Sequence, residues 1–186
     1  MISMKEIEVK ILEINRPKIE KALINLQARK IFDGVLKTLF LDFEDNSIIK
    51  AGNLLRLRKN SQKSELTFKK VTYTQTVKIA EEYSVQVSDV EIMLKILQNL
   101  GLSVTGIMEK HRFSYKLDNV RFDIDRYLGD FEFIPEFLEI EAEDVNNIHR
   151  YAELLGFKPE DCLPWSSEEL IQHYSNGKEK NRKRLL

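Results

Sequence analysis

Several short stretches of the chain carry charged residues at every second position. EIEVK spaces Glu6, Glu8 and Lys10 in this way, LLRLRK spaces Arg56 and Arg58, and ELTFKK spaces Glu65, Thr67 and Lys69. The same spacing relates Glu82 to Ser84, Lys110 to Arg112, Arg121 to Asp123 and Asp125, and Glu139 to Glu141. Successive strand residues point to opposite faces, so each set shares one face while Ile7, Val9, Leu55, Leu57, Phe68, Phe122, Ile124, Leu138 and Ile140 share the other. Carboxylates two apart on a strand lie roughly 6.5–7 Å from each other and repel unless water or a cation sits between them. Their oxygens suit hard divalent cations. The planar fork of arginine suits phosphate oxygens.

The plain alternative is an antiparallel sheet with one face in water. Two features argue against it. Signs are grouped by strand, with acidic pairs at 6–8, 123–125 and 139–141 and basic pairs at 56–58 and 110–112. The number of strands also allows closure, because eight antiparallel strands can form a barrel just wide enough for one small ligand. In a barrel the charged face becomes a lumen, where a polyanion and divalent cations would neutralise both signs at a tolerable desolvation cost.

The elements that must position these residues follow from periodicity and punctuation. Residues 4–14 and 35–44 read as strands, LLRLRKN and ELTFKKV as a hairpin around Ser61–Lys63, and VKIAEEYSVQV as another strand. GIMEKHRFSYKL and VRFDIDRYL read as a hairpin around Asp118–Asn119, and EFLEIEAED as the last strand. Helices are expected after the cap-like Asn15, after Ser88 or Asp89 with Gly101 as stop, over VNNIHRYAELLGF, and over SSEELIQHY at the end, while DNSIIKAGN reads as a turn. About eight strands with two or three helices, in runs, indicate an α+β fold with a largely antiparallel sheet.

With 186 residues, 42% of them hydrophobic, the chain can bury one sizeable core. The expected division is one domain over 1–160, with a C-terminal helix and basic tail over 161–186 packed on it or extending from it. A net charge of −1 gives no global field for nucleic acid or membrane, so neither is expected as a partner. The single Cys162 and the lack of a long apolar run point to a cytoplasmic protein. His111 falls on the apolar side and suits a core or an interface, Asp42 and Arg126 suit salt bridges or else a place in the lumen, and Trp165 and Tyr174 suit anchoring of the last helix or else lining one mouth of the barrel.

In their order and spacing, EIEVK, LLRLRK, ELTFKK, EKHRFSY, VRFDID and FLEIE resemble the CYTH superfamily, the triphosphate tunnel metalloenzymes, over roughly residues 4–157. That superfamily includes class IV adenylyl cyclases, thiamine triphosphatases and inorganic tripolyphosphatases. The resemblance implies a closed eight-stranded antiparallel β-barrel, a tunnel with helices packed outside. It implies Glu6, Glu8, Lys10 and Glu82 as catalytic residues, and Lys10, Arg56, Arg58, Lys69, Lys110 and Arg112 as triphosphate binders. Glu6, Glu8, Asp125, Glu139 and Glu141, with Asp123 beside them, are implied to hold Mg²⁺ or Mn²⁺. The chain departs from the family at Ser84, where a second glutamate is usual after Glu82, and in the segment YLGDFEFIPEFLEIE, which is longer than the turn of some cyclases.

Phosphoryl transfer depends on positioning and charge neutralisation. The implied activity is metal-dependent hydrolysis of the terminal phosphate of tripolyphosphate or an organic triphosphate. Cyclisation of ATP to cyclic AMP and pyrophosphate is the alternative, and a non-catalytic polyphosphate-binding module is a second one. The expected partner is a small-molecule triphosphate, and a homodimer is compatible with such a barrel.

Overall fold

A computed structural model describes residues 4–73 and 78–175, with side chains for 7–70 and 81–175. The strands are β1 (Met4–Ile11), β2 (Arg29–Phe43), β3 (Asn53–Lys59), β4 (Ser64–Tyr73), β5 (Lys78–Gln86), β6 (Leu102–Leu117), β7 (Val120–Tyr127) and β8 (Phe137–Ala142). All neighbours are antiparallel, in the order β1-β5-β4-β3-β2-β6-β7-β8, and β1 pairs with both β5 and β8, so the order returns on itself as a barrel. The seam is partial. Tyr83–Gln86 of β5 have no β1 partner among the described residues, and past Glu8 the free side of β1 is bridged by Leu163, which exchanges two backbone hydrogen bonds with Lys10 at 2.7 and 2.9 Å.

The helices are α1 (Arg16–Asn25), α2 (Ser47–Lys50), α3 (Val90–Asn99), α4 (Val145–Leu154) and α5 (Ser167–Ser175). Four of these span nine or ten residues and lie at the four places read as helical, so the number exceeds only the overall estimate of two or three. Their starts follow side-chain chemistry. Asn15 accepts from the Lys18 N–H at 3.0 Å, Asp89 from the N–H groups of Glu91 and Ile92 at 2.9 Å, and Asp144 from that of Asn146 at 3.1 Å. Gly101 and Gly156 follow α3 and α4 at φ of 94° and 89°, a conformation that favours glycine.

Two elements differ from the sequence expectation. β2 starts at Arg29 rather than 35, because Arg29–Asp33 pair with β6 as an extended arm whose exposed residues lack clear alternation. The segment read as a turn contains α2. Asp42 accepts from the N–H groups of Ile48 and Ile49 at 3.0 Å each, and among the described residues it makes no salt bridge.

Apolar residues are buried in three groups. Val9, Phe122 and Ile140 of the barrel pack with Leu23 of α1 and Ile148 of α4. Leu41 and Leu57 pack with Leu97 of α3. At one end of the barrel, Phe40, Tyr127 and Phe137 pack with Phe131, Ile134 and Leu170 of α5, flanked by Trp165 and Tyr174. The C-terminal helix is thus packed on the barrel, while the basic tail lies outside the described residues. Among the described residues no helix is long and apolar enough to cross a membrane.

Candidate functional site

With outward faces packed on helices, the alternate residues of each strand turn inward. They line a cavity of about 1080 Å³ whose wall includes Glu8, Arg56, Arg58, Lys69, Glu82, Lys110, Arg112, Glu139 and Glu141. Register explains the grouping. Across the ladders Arg58 stands opposite Thr38 and Glu65, Lys69 opposite Glu82, Arg112 opposite Asp125, Asp123 opposite Glu139, and Glu8 opposite Glu141.

Behind the wall lies a buried ionic network. Asp125 is fully buried, accepting from Arg112 Nε at 2.7 Å and from Lys110 Nζ. Asp123, also buried, accepts from Arg112 and from Arg121 Nε at 3.0 Å. Glu139 binds Arg112 and lies 2.9 Å from Lys10 Nζ, which also reaches Glu8 at 3.2 Å. Arg121 holds Glu141 at 2.8 Å, and Lys69 holds Glu82, with Arg56 at 3.6 Å.

The pKa directions follow from competition between burial and neighbours. Burial acts to lower the Lys10 ammonium, but Glu139 and Glu8 outweigh it and raise its pKa. Burial likewise acts against Arg112, and Asp123, Asp125 and Glu139 more than reverse it. Burial would raise Glu139, yet Lys10, Lys110 and Arg112 hold it well below the ordinary carboxylate range. Lys110 is lowered by burial and by Arg112, in spite of Asp125. Arg58 is pushed down by burial and by the charges of Arg56 and Arg112.

Five of the six anticipated phosphate-binding residues therefore face one cavity: Arg56, Arg58, Lys69, Lys110 and Arg112. Lys10 does not. It is 1% exposed, off the cavity wall, and placed to hold Glu8 and Glu139. Asp125, expected as a metal ligand, is also off the wall, with its oxygens committed to Arg112 and Lys110, while Asp123, off the wall too, takes Arg112 and Arg121 on Oδ2 alone and keeps Oδ1 buried without a hydrogen-bond partner among the described residues. Glu82 lines the cavity beside Ser84, whose hydroxyl shares a 2.9 Å hydrogen bond with Thr67. A neutral hydroxyl pair thus stands where a second glutamate on β5 would have added a ligand. The Glu6 side chain lies outside the described residues.

Sequence reasoning missed the role of Arg121, which bridges two strands through Asp123 and Glu141 and lines the cavity. Its period-two spacing with Asp123 was the available signal. Thr38, which accepts from Arg58 Nε at 3.3 Å, carried no such signal. His111 meets Asp33 at 2.8 Å on the outer surface rather than entering a core.

Among the described residues no three ligating side chains already converge as a metal centre. The donor chemistry nonetheless fits a hard cation. Glu8 and Glu141 are directly opposed across the β1–β8 ladder and both face the cavity. Opposed like charges on a ladder are unfavourable, and a divalent ion between carboxylate oxygens would relieve that repulsion.

Comparison with known proteins agrees with this architecture. A Methanocaldococcus jannaschii protein named as a candidate adenylate cyclase is 26% identical over 145 residues, covering 77% of this chain and 81% of that protein. A solved structure from Pyrococcus horikoshii shares 29% identity with a TM-score of 0.73, covering 89% of this chain and 99% of that one. A Vibrio parahaemolyticus structure shares the fold with a TM-score of 0.76 at 16% identity, covering 92% of this chain and 99% of that one. The family model described as the CYTH domain matches residues 4–161, nearly the whole chain, and the protein belongs to that family.

Proposed function

We propose that the protein is a divalent-metal-dependent enzyme that draws a triphosphate-bearing substrate into its barrel and hydrolyses the terminal phosphate. One observation carries this reading. Arg58 faces the cavity between the charges of Arg56 and Arg112, and no carboxylate of the described residues is in ion-pair contact with it. Its hydrogen bond goes to the neutral Thr38, and the nearby charges of Glu139 and Asp125 do not offset burial and the two neighbouring guanidiniums. Clustered, partly desolvated guanidiniums repel one another, and a polyphosphate entering the cavity converts that repulsion into binding energy.

The chain's own residues then divide the work. Arg56, Arg58 and Lys69 bind phosphate oxygens from one side of the barrel, and Lys110 and Arg112 from the other. Asp123 and Asp125 fix the Arg112 guanidinium, and Lys10 fixes Glu8 and Glu139. Glu8, Glu139 and Glu141 would hold Mg²⁺ or Mn²⁺, which supplies charge neutralisation at the phosphates and lowers the pKa of bound water. The second reading, cyclisation of ATP, is favoured by the name carried by the Methanocaldococcus jannaschii relative.

The test incubates purified protein with tripolyphosphate, ATP or thiamine triphosphate, with Mg²⁺ and with Mn²⁺ in turn. Release of orthophosphate is expected. Cyclic AMP with pyrophosphate would replace hydrolysis by cyclisation, and tight binding without turnover of any substrate would leave only a binding module.

A further inference from the structure

The cavity is not charged throughout. Where β3 begins and α5 starts, its wall includes Phe40, Leu54, Met108, Ser166, Ser167 and Glu168. Phe40 and Met108 are buried in the same apolar group as Leu170 of α5, so packing fixes this part of the wall. Register sets it directly beside the cations. Leu54 stands opposite Lys69, Phe40 opposite Arg56, and Met108 opposite Thr38, the residue that holds Arg58.

An inorganic polyphosphate is anionic along its whole length. It would gain nothing from Phe40, Leu54 and Met108, and Glu168 would repel it. An uncharged ring gains by leaving water for such a wall, and hydroxyl or amine donors on it can be accepted by a carboxylate and by serine oxygens. We propose that this end of the cavity is the subsite for an uncharged, ring-bearing organic head with hydrogen-bond donors. The substrate is then an organic triphosphate rather than tripolyphosphate, with its phosphates running from this end toward Arg56, Arg58 and Lys69. The inference rests on the reading of the cavity as a triphosphate site.

The chain's single tryptophan, Trp165, precedes Ser166 and packs against the same apolar group, so it reports on this end. The test titrates the protein, in Mg²⁺, with a non-hydrolysable ATP analogue and with tripolyphosphate. Affinity is followed by calorimetry and Trp165 by its emission. The analogue should bind more tightly and shift the emission, while tripolyphosphate binds without the shift. Glu168 is exposed, so Glu168→Gln should leave the fold intact. It should lower the ratio of analogue to tripolyphosphate affinity about tenfold, because the amide oxygen still accepts but without charge assistance, and the repulsion of the phosphates is lost. If both ligands bind, the emission stays fixed and the ratio is unchanged in Glu168→Gln, the head lies elsewhere and the subsite is overturned while the triphosphate reading stands. Binding of neither ligand overturns that reading, and the subsite with it.

Discussion

Arg58 and Glu8 show how differently two residues on the same inward face are held. Arg58 has a neutral partner in Thr38, whereas Glu8 is tied to Lys10 and faces Glu141 across the ladder. Arg58→Ala should therefore act mainly on substrate affinity, raising KM by about 10–100-fold through loss of a charge-assisted contact to phosphate. Steady-state kinetics check this, and an unchanged KM would remove Arg58 from the site. Glu8→Gln keeps shape but loses charge, and should weaken Mg²⁺ or Mn²⁺ by at least about 100-fold, beyond what loss of a supporting group costs. A metal titration followed by calorimetry reads it directly. Asp125 behaves otherwise, because its removal leaves Arg112 and Lys110 short of a partner in a buried place. Asp125→Ala should cost about 3–5 kcal/mol of stability. In a chain of this size that is a fall of roughly 6–20 °C in Tm, visible by calorimetry. The period-two charge pattern exposed the charged residues among these in the sequence, but not Thr38. It could not separate Asp125 from Glu139, because alternation assigns a face and not a depth.

At the scale of elements, the helices keep the outward strand faces dry and so fix which residues turn inward. α3 covers Leu41 of β2 and Leu57 of β3, the latter flanked in the chain by Arg56 and Arg58. Its start depends on Asp89, which satisfies two otherwise unpaired N–H groups. Asp89→Ala should cost about 1 kcal/mol, or about 2–4 °C in Tm, with little change in turnover. A thermal melt beside an activity assay checks both halves. The cap, the apolar stripe and Gly101 made α3 legible in advance. The first part of β2 was not legible, because Arg29 and Lys30 remain exposed and only pairing with β6, interrupted at Ile31, makes this stretch a strand. α2 was hidden for a related reason. Asp42, which holds it, is six residues from Ile48, too far for a local capping signal.

At the scale of the molecule, the barrel end under α5 joins stability to the site. Leu170 is fully buried among Phe40, Tyr127 and Phe137, and the helix that carries it also presents Ser167 and Glu168 to the cavity. Leu170→Ala should cost about 2–5 kcal/mol and loosen that wall. Denaturant unfolding would show the loss, and faster amide exchange over residues 163–175 would locate it. The sequence by itself determined the strands of the inward face, the sign of charge on each, and the family, because side-chain alternation and capping are local and repeat in the chain. Only the tertiary structure decided that Lys10, Asp123 and Asp125 are internal supports while Arg58 faces an open cavity. It also decided that an apolar wall lies beside the cations. Depth, ion pairing and the partners across each ladder arise from register and stagger between strands distant in sequence, which no local pattern encodes.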